Sequence, residues 1–170
     1  PDRYMKQIQY MNQNKSVAVL GTALREVSSS GSRDVFYPSN SYLCKRNLFF
    51  RSPVAHPTVC FRRSVFSSGI KYPLSKSNED LALWINLDRA GYLFANLDEV
   101  LLDFTIQDSF WGRRSYGKAI EEFNLYLNVG RFRKQPFYLY IFPIARLALR
   151  MSPSFISKSI YKSKFLRKKQ

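Results

Sequence analysis

The chain has 170 residues, of which 45% are apolar, 16% aromatic and only 23% charged, so it carries enough apolar material for one domain with a core and is no disordered polypeptide. Its 27 basic and 12 acidic residues give a net charge of +15, which makes an anionic partner such as a membrane, nucleic acid or phosphate-bearing ligand the first to consider. Two cysteines, Cys44 and Cys60, and a lone histidine, His56, exclude a disulfide framework and a Cys/His zinc site, and they fit a reducing compartment.

In chain order, Tyr4, Ile8 and Met11 recur at helical spacing behind Asp2 and predict a helix over residues 1–12. The apolar run Val17-Ala18-Val19-Leu20 predicts a buried strand, the serines around Gly31 a turn, and Val35-Phe36-Tyr37 a returning strand. A helix is expected over 39–50, a loop bracketed by Pro53 and Pro57 around His56, and a strand over Thr58-Val59-Cys60-Phe61. Residues 77–90 form the clearest helix, ended by Gly91, with two short strands after it at Tyr92-Leu93-Phe94 and Val100-Leu101-Leu102. Tyr116, Ile120, Phe123 and Leu127 predict an amphipathic helix over 112–127. The class is therefore α/β, with about five short strands and neither an internal repeat nor a Gly-rich phosphate loop.

The charge divides the chain. Residues 1–122 hold 16 basic and 12 acidic residues, whereas 123–170 hold 11 basic residues and no acid. The expected organisation is a globular domain over 1–122 and a basic amphipathic helical extension over 123–170. Within the extension, Arg146 and Arg150 share one helix face and Phe137, Ile141, Ile144 and Ala148 the opposite one, with a kink expected at Pro143. Lys158, Lys162, Lys164, Arg167, Lys168 and Lys169 follow among Phe155, Ile156, Ile160, Tyr161, Phe165 and Leu166, the pattern of an interfacial anchor on anionic lipid or of a packed helix with a basic tail. No segment reaches the roughly 20 apolar residues that span a bilayer. The chain opens Pro1-Asp2-Arg3-Tyr4, with no initiator Met or signal-peptide pattern, and is expected to be the later part of a longer polypeptide.

Three places carry candidate chemistry. Asp80 lies on one helix side with Leu83, Trp84 and Leu87, so a partly desolvated carboxylate there can take a proton from a hydroxyl nucleophile. Ser77 and Asp80 also stand at capping-box spacing, which gives the same residue a structural reading. His56, followed by Arg62 and Arg63, suits a phosphate or sugar neighbour, though a lone loop histidine is more often structural. Arg113 and Arg114 precede a helix and can grip a diphosphate or form a solvated pair.

Several phrases occur in a familiar order: Pro1-Asp2-Arg3-Tyr4-Met5-Lys6-Gln7, Val17-Ala18-Val19-Leu20-Gly21-Thr22, His56-Pro57-Thr58-Val59-Cys60-Phe61-Arg62-Arg63-Ser64 and Glu79-Asp80-Leu81-Ala82-Leu83-Trp84. Arg113-Arg114-Ser115-Tyr116-Gly117-Lys118 with Glu122, and Arg150-Met151-Ser152-Pro153, continue the match. The chain thereby resembles the bacterial family 2 glycosyltransferases that build surface polysaccharides such as O-antigen or capsule. The resemblance implies the C-terminal, acceptor-side part of a GT-A fold. It implies a nucleotide-sugar donor, a polyprenyl-diphosphate-linked or other saccharide acceptor, and work at the cytoplasmic face of the cell membrane.

In inverting members the aspartate of the Glu-Asp phrase is the base, which maps onto Asp80. Glu79, His56, Arg62, Arg63, Trp84, Arg113 and Arg114 are then candidates for contact with the acceptor or the diphosphate. The family's divalent metal, Mn or Mg, is held by an acidic motif that precedes the opening phrase. No metal ligand is therefore expected in this chain, and it is expected to be inactive alone. The Gln-x-x-Arg-Trp motif of processive synthases is absent, since Trp111-Gly112-Arg113-Arg114 has a different order, so single addition is implied. The competing reading is a small basic nucleic-acid-binding protein, against which stand the concentration of charge after residue 122 and the lack of any nucleic-acid motif.

Overall fold

The computed structural model describes residues 2–28, 31–73, 78–106 and 115–152. Helix α1 (Asp2–Gln13) leads into strand β1 (Val17–Ser28), which turns back as β2 (Gly31–Val35). Helix α2 (Ser41–Asn47), a 3-10 turn over His56–Thr58, strand β3 (Cys60–Phe61) and a short α3 (Ser64–Ser67) follow. Then come α4 (Glu79–Arg89), β4 (Leu93–Thr105), α5 (Tyr116–Phe132), a 3-10 turn over Phe137–Tyr140 and α6 (Ile141–Met151).

The expected α/β class is what the structure shows, with a mixed sheet compatible with a glycosyltransferase domain. Strand β1 is its centre: β4 runs parallel along it from Val17↔Leu93 to Val27↔Thr105, while β2 and β3 pair antiparallel with different parts of β1. The first eight residues of β1 are all buried, which is why that segment reads as a continuous apolar run instead of an alternating one. Alternation assigns the two sheet faces. Val19 and Phe94 join Leu83, Trp84, Phe49 and Tyr126 in the main core, and their neighbours Leu20 and Ala95 join Met11 of α1 in a smaller cluster.

Several boundaries differ from expectation. The two strands predicted after Gly91 are one, because the exposed pair Asp98 and Glu99 is accommodated as an irregularity in the register between Thr22↔Leu97 and Ala23↔Val100. The strand predicted at Thr58 is a 3-10 turn up to Thr58, and Val35 ends its strand instead of opening one. Pro143 sits in the first turn of α6, where a missing N–H costs no intrahelical bond. The division expected at residue 122 falls inside α5, a single helix from Tyr116 to Phe132.

The buried stripe of α5 is also not the predicted one. Tyr116 and Ile120 are exposed, and Ala119, Glu122, Tyr126 and Val129 face inward. The cause is Glu122, whose carboxylate meets Arg146 at 2.8 Å and Arg150 at 2.5 Å. The guanidinium of Arg146 also lies 5.2 Å from the centre of the Tyr126 ring. Asp88, at the end of α4, receives Arg133 at 2.5 Å and ties α5 to α4.

The buried thiol and phenol of this core give the fold an alkaline limit. Burial pushes Cys44 from 9.0 up to about 12 and Tyr126 from 10.0 up to about 12. The folded chain thus keeps protons that the unfolded chain releases, so this contribution is complete below pH 9.0 and is lost as pH rises toward 12. The urea midpoint is expected to fall between about pH 8 and about pH 11, with Cys44 unreactive to iodoacetamide until the chain unfolds. A midpoint that is flat over that interval would count against these burials.

Candidate active site

The His56 turn is held from three directions. Gln7, fully buried in α1, donates through Nε2 to the Thr58 carbonyl at 2.8 Å and the Leu20 carbonyl at 3.1 Å. The Thr58 hydroxyl accepts the Thr22 N–H of β1 at 3.0 Å and donates to the Ala55 carbonyl at 2.8 Å. Arg3 donates to the Pro57 carbonyl at 3.0 Å. These contacts fix the backbone so that the His56 ring stays on the exposed side. There it packs edge-on to Tyr72, with ring centres 6.0 Å apart, and tilted against Trp84 at 5.9 Å.

Trp84 has 0% exposure and stacks on Phe61 at 5.8 Å, so it is the floor beneath His56 and not a surface that a ligand touches. Its assignment to ligand contact is corrected accordingly. Apolar residues on nearly every side of α4 bury that helix centrally, which leaves its N-terminal turn as the place where α4 offers polar groups.

That turn begins at Asn78, in the left-handed conformation with φ 56° that Asn tolerates better than most residues. Its side-chain amide donates to the Lys118 carbonyl at 3.2 Å, joining the starts of α4 and α5. With Asn78 as cap, Asp80 is the second helical residue and Leu81 the third, so Asp80 is not at the capping-box position. Ser77 lies outside the described residues. Asp80 is half-buried, and its Oδ1 accepts the Leu81 N–H at 2.8 Å, at the positive end of the helix. Glu79 is exposed beside it.

The carboxylates and the aromatic shelf share one electrostatic neighbourhood. Burial raises the Tyr72 phenol above its ordinary value, and the charges of Asp80 and Glu79 raise it further. Asp80 is also felt by Tyr126, next to Glu122 and Arg146. Asp80 and Glu79 stand about one turn before Trp84 in α4, and His56 packs on Trp84 with Tyr72 beside it, which puts the four in one region. Tyr72 was invisible to sequence reasoning because it stands in a loop with no periodicity; its only signal is its position shortly before the Glu-Asp phrase.

The basic candidates separate. Arg62 donates to the carbonyls of Met11 at 2.8 Å, Val17 at 3.1 Å and Asn14 at 3.3 Å. It supplies the positive charge at the C-terminus of α1 that the helix itself lacks, which is a structural use and corrects its expected role as an anion clamp. Arg63 is exposed at the start of α3. Arg3 is the cation at the His56 turn, and its charge, like that of Arg62, lowers the Cys60 thiol against the burial that raises it. Arg113 and Arg114 lie outside the described residues. Among the described residues no three His, Cys, Asp or Glu side chains gather as a metal ion needs.

A half-buried carboxylate at a helix start, one turn before the tryptophan on which an exposed imidazole packs, is suited to binding a sugar ring and taking a proton from one of its hydroxyls. The chain is 27% identical over 173 aligned positions to an uncharacterized glycosyltransferase of Haemophilus influenzae, covering 99% of this chain and 64% of that protein. It is 30% identical over 112 positions to the O-antigen biosynthesis glycosyltransferase WbnJ of Escherichia coli, covering 64% of this chain and 43% of that protein. Against the amylovoran biosynthesis glycosyltransferase AmsE of Erwinia amylovora the identity is 28%, over 74% of this chain and 48% of that protein. No family model and no solved structure matches. The chain spans 43% to 64% of the length of these relatives, each of which is named a glycosyltransferase.

Proposed function

We propose that this chain is the acceptor-side part of an inverting, single-addition family 2 glycosyltransferase of the GT-A fold. It serves the transfer of a sugar from a nucleotide-sugar to a saccharide acceptor, carried on a polyprenyl diphosphate, in surface polysaccharide assembly at the cytoplasmic face of the membrane. Asp80 accepts the proton of the acceptor hydroxyl as its oxygen bonds to the anomeric carbon. The bond from that carbon to the nucleoside diphosphate breaks, and the diphosphate leaves with the electron pair. His56 and Tyr72 flank the acceptor ring, and Arg63 or the pair Arg113 and Arg114 meets the leaving diphosphate.

The observation that carries this reading is the place of Asp80 one helical turn before Trp84, against which His56 packs beside Tyr72, in a chain similar over 99% of its length to a glycosyltransferase. The nucleic-acid reading loses ground because many arginines are turned inward: Arg62 to carbonyls, Arg133 to Asp88, and Arg146 and Arg150 to Glu122. The test supplies the full-length enzyme that contains these residues with labelled nucleotide-sugars and short saccharide or polyprenyl-diphosphate-linked acceptors. A glycosylated acceptor with inverted anomeric configuration is expected. Tight, sequence-dependent binding of single-stranded RNA with no sugar transfer would overturn the reading.

A further inference from the structure

Helix α6 is mounted with its charged side inward. Arg146 and Arg150 face α5 and close on Glu122, whose side chain is only 5% exposed. The opposite side, together with the 3-10 turn before it, presents Phe137 at 88%, Tyr138 at 62%, Ile141 at 60% and Ile144 at 51% exposure, with Met151 about two turns beyond Ile144. A run of large apolar groups along one helix face is not the ordinary surface of a soluble domain.

We infer that this face docks on an anionic lipid bilayer, with α6 lying in the plane of the interface and Glu122 fixing the orientation that points the apolar side outward. Three features favour a bilayer over other occupants. No helix among the described residues is long and apolar enough to cross a membrane, and the 11 residues of α6 suit an interfacial position. The sequence directly after α6 adds Lys158, Lys162, Lys164, Arg167, Lys168 and Lys169 with no acid, and these cations match lipid phosphates at up to about 1 kcal/mol each, less at high salt. A second copy docking through the same face would bring two such cationic segments together, and like charge opposes that.

The inference deepens the membrane-surface part of the proposed function and rests on it, but it is measured with no sugar present, so its failure and that of the transferase reading are distinguishable. The intact chain and the variant Phe137→Ser/Ile141→Ser/Ile144→Ser are sedimented with vesicles of phosphatidylglycerol and phosphatidylcholine, and with phosphatidylcholine alone. Expected are binding of the intact chain to the anionic vesicles only, weakened by salt, and an affinity at least about tenfold lower for the variant. The exposed positions leave melting unchanged. Equal binding by the variant, equal binding to neutral vesicles, or no vesicle binding beside a dimer that the variant abolishes would each overturn it.

Discussion

Asp80→Asn, made in the full-length enzyme, is expected to lower the turnover of sugar transfer by about 100-fold or more while the Michaelis constant for the nucleotide-sugar barely moves. The substitution is nearly isosteric, and its carbonyl oxygen can still accept the Leu81 N–H that Asp80 accepts at 2.8 Å, so the start of α4 keeps its geometry. What disappears is the negative charge and with it the proton acceptor. A second readout follows from the same charge: Asp80 helps raise the Tyr72 phenol, so ultraviolet titration should find that phenol lower in the Asn variant. Turnover near that of the parent, with the Tyr72 shift present, would leave Asp80 as an acid that stabilises a helix start and nothing more.

Glu122→Ala is the substitution with the largest expected effect on the fold. It leaves Arg146 and Arg150 beside Tyr126 with their shared counter-charge gone. Breaking a fully buried pair costs about 3–5 kcal/mol; with the arginine side chains 41% and 37% exposed, water offsets part of that, and about 2–3 kcal/mol is expected. Hydrogen exchange should place the loss in α6 before the sheet. Replacing all three charges with leucine should restore much of the stability, because an apolar contact of similar volume removes the desolvation cost together with the attraction. An Ala variant as stable as the parent would mean that α6 is held by its apolar contacts alone.

The sheet was legible wherever burial wrote itself into the residue types. Val17 to Leu20 is apolar on both faces because β1 is central, and residues 79–89 are helical because α4 is buried nearly all round. Helix α5 defeated pattern reading because a buried glutamate looks like a solvent-facing residue in sequence, so its inward stripe was assigned to the wrong side and a boundary was drawn through its middle; for α6 the two faces were legible, but not which of them turns inward. The site was half legible. Asp80 and His56 stand out by chemistry, but their joining depends on Tyr72, on the Gln7 and Thr58 contacts, and on Arg62 being committed to the end of α1. Those are long-range contacts that no local spacing encodes.

The pairing of β1 with β4 joins segments separated by roughly 75 residues of chain, with α2, α3 and α4 in between, and closing so long a loop precedes any gain from the pairing. The β1–β2 pairing, by contrast, joins neighbouring segments from Ser28↔Gly31 to Leu24↔Val35 and needs nothing from the rest of the molecule to find its register. The order of assembly is therefore uneven. The helix start that carries Asp80 lies inside the long loop and the His56 turn is bolted to β1, so the two meet only when β4 zips along its partner. Proton-accepting geometry is thereby among the last properties the nascent chain acquires, and an interrupted refolding would leave a hairpin with native register and an incomplete site.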